Sequence, residues 1–120
     1  MCVLAIASAA SAGPLPPAAR GEIDALLARL DVSGCQFNRN GSWYSAVEAK
    51  AHLQRKLEYL EKKQLVESSE QFIQRGASSS SMTGRAYLVK CGDAPPVESA
   101  VWFMTQLRTI RAATATRPGP

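Results

Sequence analysis

The chain has 120 residues, 46% of them hydrophobic and 20% charged, the proportions of one ordinary globular domain rather than of a disordered or fibrous chain. Its net charge of +4 is mild, and its 14 lysines and arginines are spread out rather than gathered into a basic stripe, so specific nucleic-acid binding is not expected. The cysteines include no C-x-x-C pair, which removes the zinc-knuckle and redox-motif readings.

The apolar run over residues 2–10 ends in Ala10-Ser11-Ala12, with small residues where a signal peptidase needs them. Residues 1–12 therefore read as a signal peptide cleaved near Ala12, although no Lys or Arg precedes the run. The run is too short to cross a bilayer, which takes about 20 apolar residues. Export to the periplasm or beyond would leave Cys35 and Cys91, and an even pair in an oxidising compartment most simply forms one disulfide. Residues 13–19 (GPLPPAA) read as an extended proline-rich leader, 20–113 as a single globular domain, and 114–120 as a flexible tail.

Within the domain, Ile23, Leu26, Leu27 and Leu30 form the apolar stripe of a first helix over 22–30, closed by turn residues at 31–34. Residues 35–39 can form a short strand, and Asn40-Gly41 is the strongest two-residue hairpin signal, setting Phe37 opposite Tyr44. Ser45 and Glu48 make a capping box for a helix over 46–63. Its buried stripe should be Ala46, Ala49, Leu53, Leu57 and Leu60, with His52, Lys56, Tyr59 and Lys63 on a neighbouring face. A second cap at residues 68–71 opens a short third helix around Phe72 and Ile73, and 76–84 (GASSSSMTG) is a serine-rich loop. Residues 86–91 alternate as a strand with Tyr87, Val89 and Cys91 on one face, the side toward which Cys35 and Phe37 point. A turn over 92–96 leads to a last helix over 97–112, with Val97, Val101, Met104, Leu107 and Ile110 as its expected stripe. Trp102, Phe103 and Met104 beside Arg108 and Arg111 also fit an interfacial membrane helix, but a core helix with an amphipathic edge explains them better. The fold class is α+β, mostly α: about four helices around a small antiparallel sheet or hairpin, tied by one Cys35–Cys91 disulfide.

Known chemistries find little to hold. G-x-S-x-G and S-x-x-K are absent, and Gly76 and Gly84 lie too far apart for a Walker loop, with Arg85-Ala86 where Lys-Ser/Thr is required. One histidine without a matching Cys or carboxylate cluster points to no metal, and no cofactor is expected. Asn40-Gly41-Ser42 fits a glycosylation acceptor, but the hairpin turn accounts for it. What remains is a looser polar site in which Arg39, His52, Lys56, Ser79, Ser80 and Tyr87 would receive an anionic ligand or a protein partner, with no catalytic residue assigned. The alternatives are a small hydrolase using Ser79 or Ser80 with His52, and a purely structural envelope protein.

The ordered set Cys35-x-Phe37-x-Arg39-Asn40-Gly41, Tyr44, Ala49, His52-Leu53, Lys56, Phe72-Ile73, Ser79-Ser80, Gly84, Tyr87 and Cys91 resembles the YfeK-like family of small exported bacterial proteins, over about residues 22–111. The resemblance implies a periplasmic address and a paired Cys35–Cys91, and it supplies no reaction and no ligand. A monomer is expected. Asn38 sits where an apolar strand residue belongs.

Overall fold

The computed structural model describes residues 15–116. The expected signal peptide and residues 117–120 of the expected tail lie outside the described residues. In chain order the elements are α1 (Pro17–Val32), β1 (Gln36–Arg39), β2 (Ser42–Ser45), α2 (Ala46–Lys62), α3 (Ser69–Gly76), β3 (Leu88–Lys90), β4 (Val97–Glu98) and α4 (Ser99–Thr116). The strands form one four-stranded antiparallel sheet of order β2-β1-β3-β4, and a single disulfide joins Cys35 to Cys91. The fold is α+β, mostly α, as the sequence patterns require.

Local chemistry accounts for the first hairpin. Asn40 and Gly41 both take positive φ, 54° and 89°, the pair of left-handed residues that a tight hairpin with right-handed strand twist needs. The register sets Phe37 opposite Tyr44 and Asn38 opposite Trp43. Asn38 is buried, and its Oδ1 accepts the Gly41 amide at 3.1 Å. The polar residue at an apolar strand position is thus a clasp for the turn. Ser45 follows with the full capping box: its hydroxyl accepts the Glu48 amide at 3.1 Å, and Glu48 Oε1 accepts the Ser45 amide at 3.0 Å. The buried residues of α2 are the expected Ala46, Ala49, Leu53, Leu57 and Leu60. Ser68 caps α3 by accepting the Gln71 amide, again where the sequence places a cap.

Three expectations change. Helix α1 begins at Pro17, so residues 17–19 of the expected leader are helical, and Leu15 and Ala19 are already buried in the core. Proline is favourable at the first helical position, because its missing N–H has no intrahelical acceptor there. Likewise α4 extends through residues 114–116 of the expected tail. The start and phase of α4 also differ: Val97 and Glu98 pair with Val89 and Leu88 as a strand, and the helix begins at Ser99. Its core side carries Phe103 and Leu107, both fully buried, with Met104 and Ile110 partly buried, whereas Val97 and Val101 are 42% and 55% exposed. One residue of phase turns a helix by about 100°, and here the larger Phe103 claims the core in place of Val101. Trp102 stacks edge-on against Phe103 with ring centroids 5.0 Å apart, which is the packing of a core helix.

The far-reaching contact is between β1 and β3. Their register pairs Phe37 with Val89 and Gln36 with Lys90, and one further step sets Cys35 against Cys91, with Cα atoms 4.2 Å apart. The disulfide closes a separation of 56 residues. Arg111 of α4 binds Glu22 of α1 and Glu70 of α3, and Ser69 donates to Glu22 at 2.7 Å, which fastens the three helices at the other end. Among the described residues no helix is long and apolar enough to cross a membrane.

Replacing both cysteines, C35S with C91S, should lower the unfolding free energy in urea by about 4 kcal/mol, the loop-entropy value for a bridge of this span. An unchanged urea midpoint would show that the bridge adds nothing to stability.

Candidate functional site

Four segments meet where β1 runs into the hairpin. Arg39 is the last residue of β1, His52 and Lys56 lie one turn apart on α2, Ser80 and Ser81 belong to the loop before β3, and Tyr87 stands at the β3 entrance. They line one cleft of about 190 Å³ together with Asn40 and Met82. Of the six residues expected from sequence, Arg39, His52, Lys56, Ser80 and Tyr87 line the cleft directly. Ser79 enters only through its main chain, whose carbonyl accepts Lys56 Nζ at 3.0 Å. Asn40, Ser81 and Met82 were not among them. The sequence signal for these three was adjacency, since each directly follows a residue already marked or its neighbour.

Tyr87 is the hub. Its ring is buried against Phe37, centroids 5.0 Å apart, while its hydroxyl reaches the cleft. Lys56 Nζ donates to that hydroxyl at 3.1 Å and lies 4.9 Å from the ring centroid. His52 Nε2 is 3.2 Å from the same oxygen. An ammonium can only donate, so the Tyr87 oxygen accepts from Lys56, while the hydrogen between Tyr87 and His52 Nε2 belongs to one or the other according to the imidazole tautomer. The guanidinium of Arg39 lies over the Tyr44 ring, with its central carbon 4.3 Å from the centroid.

The electrostatics are one-sided. The cleft holds no Asp or Glu, and among the described residues neither Arg39 nor Lys56 has a carboxylate partner. Burial, and then the positive charges of Arg39, Lys56 and Arg55, push the His52 pKa down from 6.5 to about 4, so the ring is neutral at pH 7. Burial chiefly, with Arg39 adding to it, lowers the Lys56 ammonium, and burial raises the Tyr87 phenol against the opposing pull of Arg39. Two fixed cations, one neutral imidazole and a protonated phenol therefore face a small cleft.

The hydrogen bonds of a serine hydrolase are not formed here. His52 Nε2 is engaged by Tyr87, and Ser80 Oγ accepts Asn40 Nδ2 at 3.3 Å and the amides of Met82 and Thr83, both at 3.2 Å. Ser80 is 6% exposed and acts as the pivot of its own turn. Among the described residues no group of three or more His, Cys, Asp or Glu side chains is placed to hold a metal ion.

The chain has one histidine, so its imidazole C–H signal in proton NMR reports His52 alone. The midpoint should lie near 4 in the folded chain. Because the unfolded chain takes up this proton first, near 6.5, the His52 contribution to stability is lost as pH falls from 6.5 toward 4 and is level below that. A folded-state midpoint near 6.5 would contradict the buried, cation-flanked environment.

A family of unknown function (DUF5329) matches residues 17–111. No curated protein and no solved structure matches the chain.

Proposed function

Since the chain belongs to the DUF5329 family, whose description assigns no activity, we propose from its own cleft that it is a non-enzymatic binding domain for an anionic ligand. One observation carries this reading: Arg39 and Lys56 bring two positive charges to one small cleft that contains no carboxylate. Holding like charges together out of water is costly, and an arriving anion relieves that cost. In this reading the guanidinium of Arg39, held over the Tyr44 ring, offers its planar fork to two oxygens of the ligand, and Lys56 serves as a second, point-like charge. Tyr87 and Ser79 hold Lys56 in place rather than touching the reaction of any bond.

The same proposal places the domain outside the cytoplasm, as a periplasmic protein of the YfeK-like kind. The Cys35–Cys91 bridge, the signal-like residues 1–12 and the C-x-F-x-R-N-G segment support that address.

The test is Arg39→Ala. Charged hydrogen bonds are worth about 1.5–3 kcal/mol, so sulfate binding measured by calorimetry at low ionic strength should weaken by about ten-fold or more. The melting temperature should move by only a few degrees, because Arg39 contributes one half-buried cation–π contact worth about 1 kcal/mol. A large fall in melting temperature with unchanged sulfate binding would make Arg39 a structural residue and end the anion reading.

A further inference from the structure

A count of hydrogen-bond donors and acceptors over the cleft separates what it can receive from what it must reject. Lys56 has three N–H bonds and gives two, to the Ser79 carbonyl and the Tyr87 hydroxyl, which leaves one. Arg39 uses its face on Tyr44 and gives none of its N–H groups to a protein acceptor among the described residues. His52, whose Nε2 meets the Tyr87 hydroxyl at 3.2 Å, carries a single ring hydrogen as a neutral imidazole. Asn40 gives one amide hydrogen to Ser80 and accepts Thr83 Oγ1 at 2.7 Å on one lone pair of its oxygen, so a second amide hydrogen remains.

The hydroxyl of Ser80 is the most informative of these groups. It is buried at the cleft wall, and its oxygen is already loaded by three donors, Asn40 Nδ2 and the amides of Met82 and Thr83. Its own hydrogen must turn away from all three, and among the described residues it has no acceptor. Against this row of donors the free side-chain acceptors are few: the exposed hydroxyl of Ser81, which can turn either way, and the second lone pairs of the Tyr87 and Asn40 oxygens.

Resting on the anion-binding reading above, we infer that the cleft selects an oxyanion that carries no proton, a carboxylate or sulfate group, and rejects ligands that bring N–H or O–H donors to the same place. A donor set against a donor leaves both unpaired, and sites built this way discriminate far more strongly than a missing methylene would. The space sets the size. At about 30 Å³ per water, the cleft of about 190 Å³ holds roughly six waters, enough for the anionic head and a few carbons. It is smaller than the pockets of about 300–1,000 Å³ that enclose drug-sized ligands, so a larger ligand would enter by its anionic end.

Two matched pairs of probes decide the matter, by calorimetry on the full, disulfide-intact chain at low ionic strength. Sulfate and hydrogen phosphate at about pH 8 are both tetrahedral dianions and differ by one proton. Propionate and β-alanine share a carboxylate and differ by one ammonium group. Sulfate and propionate should each bind about ten-fold or more tightly than their counterparts. Equal affinity within either pair, or preference for the proton-bearing member, overturns the donor selectivity and leaves anion binding intact. If none of the four binds, the anion reading itself fails.

Discussion

The pairing of β1 with β3 is the constraint on which the rest depends. The hairpin that makes β1 and β2 is local, and so are the caps of α2 and α3, but β3 arrives only after an excursion through two helices and a loop. Its antiparallel register sets Phe37 against Val89 at the centre of the core. On the same face, one end of this ladder carries Cys35 and Cys91, and the other carries Arg39 and Tyr87. The disulfide and the cleft are thus opposite ends of one short structural rule. A slip of one residue would reverse the faces, separate the cysteines and take Tyr87 away from Lys56 and His52.

The treatment of positive charge differs sharply between the ion pairs that join helices and the cleft. Arg111 is neutralised by Glu22 and Glu70, Arg20 pairs with Glu61, and Lys50 lies 3.3 Å from Asp31. These pairs join helices to one another and have nothing left to offer. At the cleft the same residue types receive a carbonyl, a phenol and an aromatic face, which fix their positions without cancelling their charge. Ten acidic residues are present in the chain, so the absence of one here is a matter of placement and not of supply. In the anion-binding reading, charge held still but left unneutralised is what the cleft offers a ligand.

Much of this was legible in the sequence because its cause is local. Asn40-Gly41 turns by its own backbone preference, Ser45 and Glu48 cap α2 by their own side chains, and the α2 stripe follows from helical spacing alone. The cysteine pair followed from counting, and Tyr87 joined the site because alternation aimed it inward. What escaped depended on competition between segments. Val97 and Glu98 are strand because β3 offers them partners, not because they prefer extension. Phe103 faces the core because it outweighs Val101 once the helix can settle in either phase. The role of Ser80 was the least legible, for nothing in a run of four serines says which hydroxyl will lie at the bottom of a turn and which will face water.

The reach of the β1–β3 ladder has a kinetic meaning as well. Hairpins form in about 1–10 μs, whereas contacts distant in sequence wait on loop closure and dominate the folding time. The Asn40-Gly41 hairpin can therefore present Arg39 early, but Tyr87 reaches its place only when β3 docks. The cleft therefore exists only where β3 has docked on β1, so a chain lacking that pairing lacks the cleft as well.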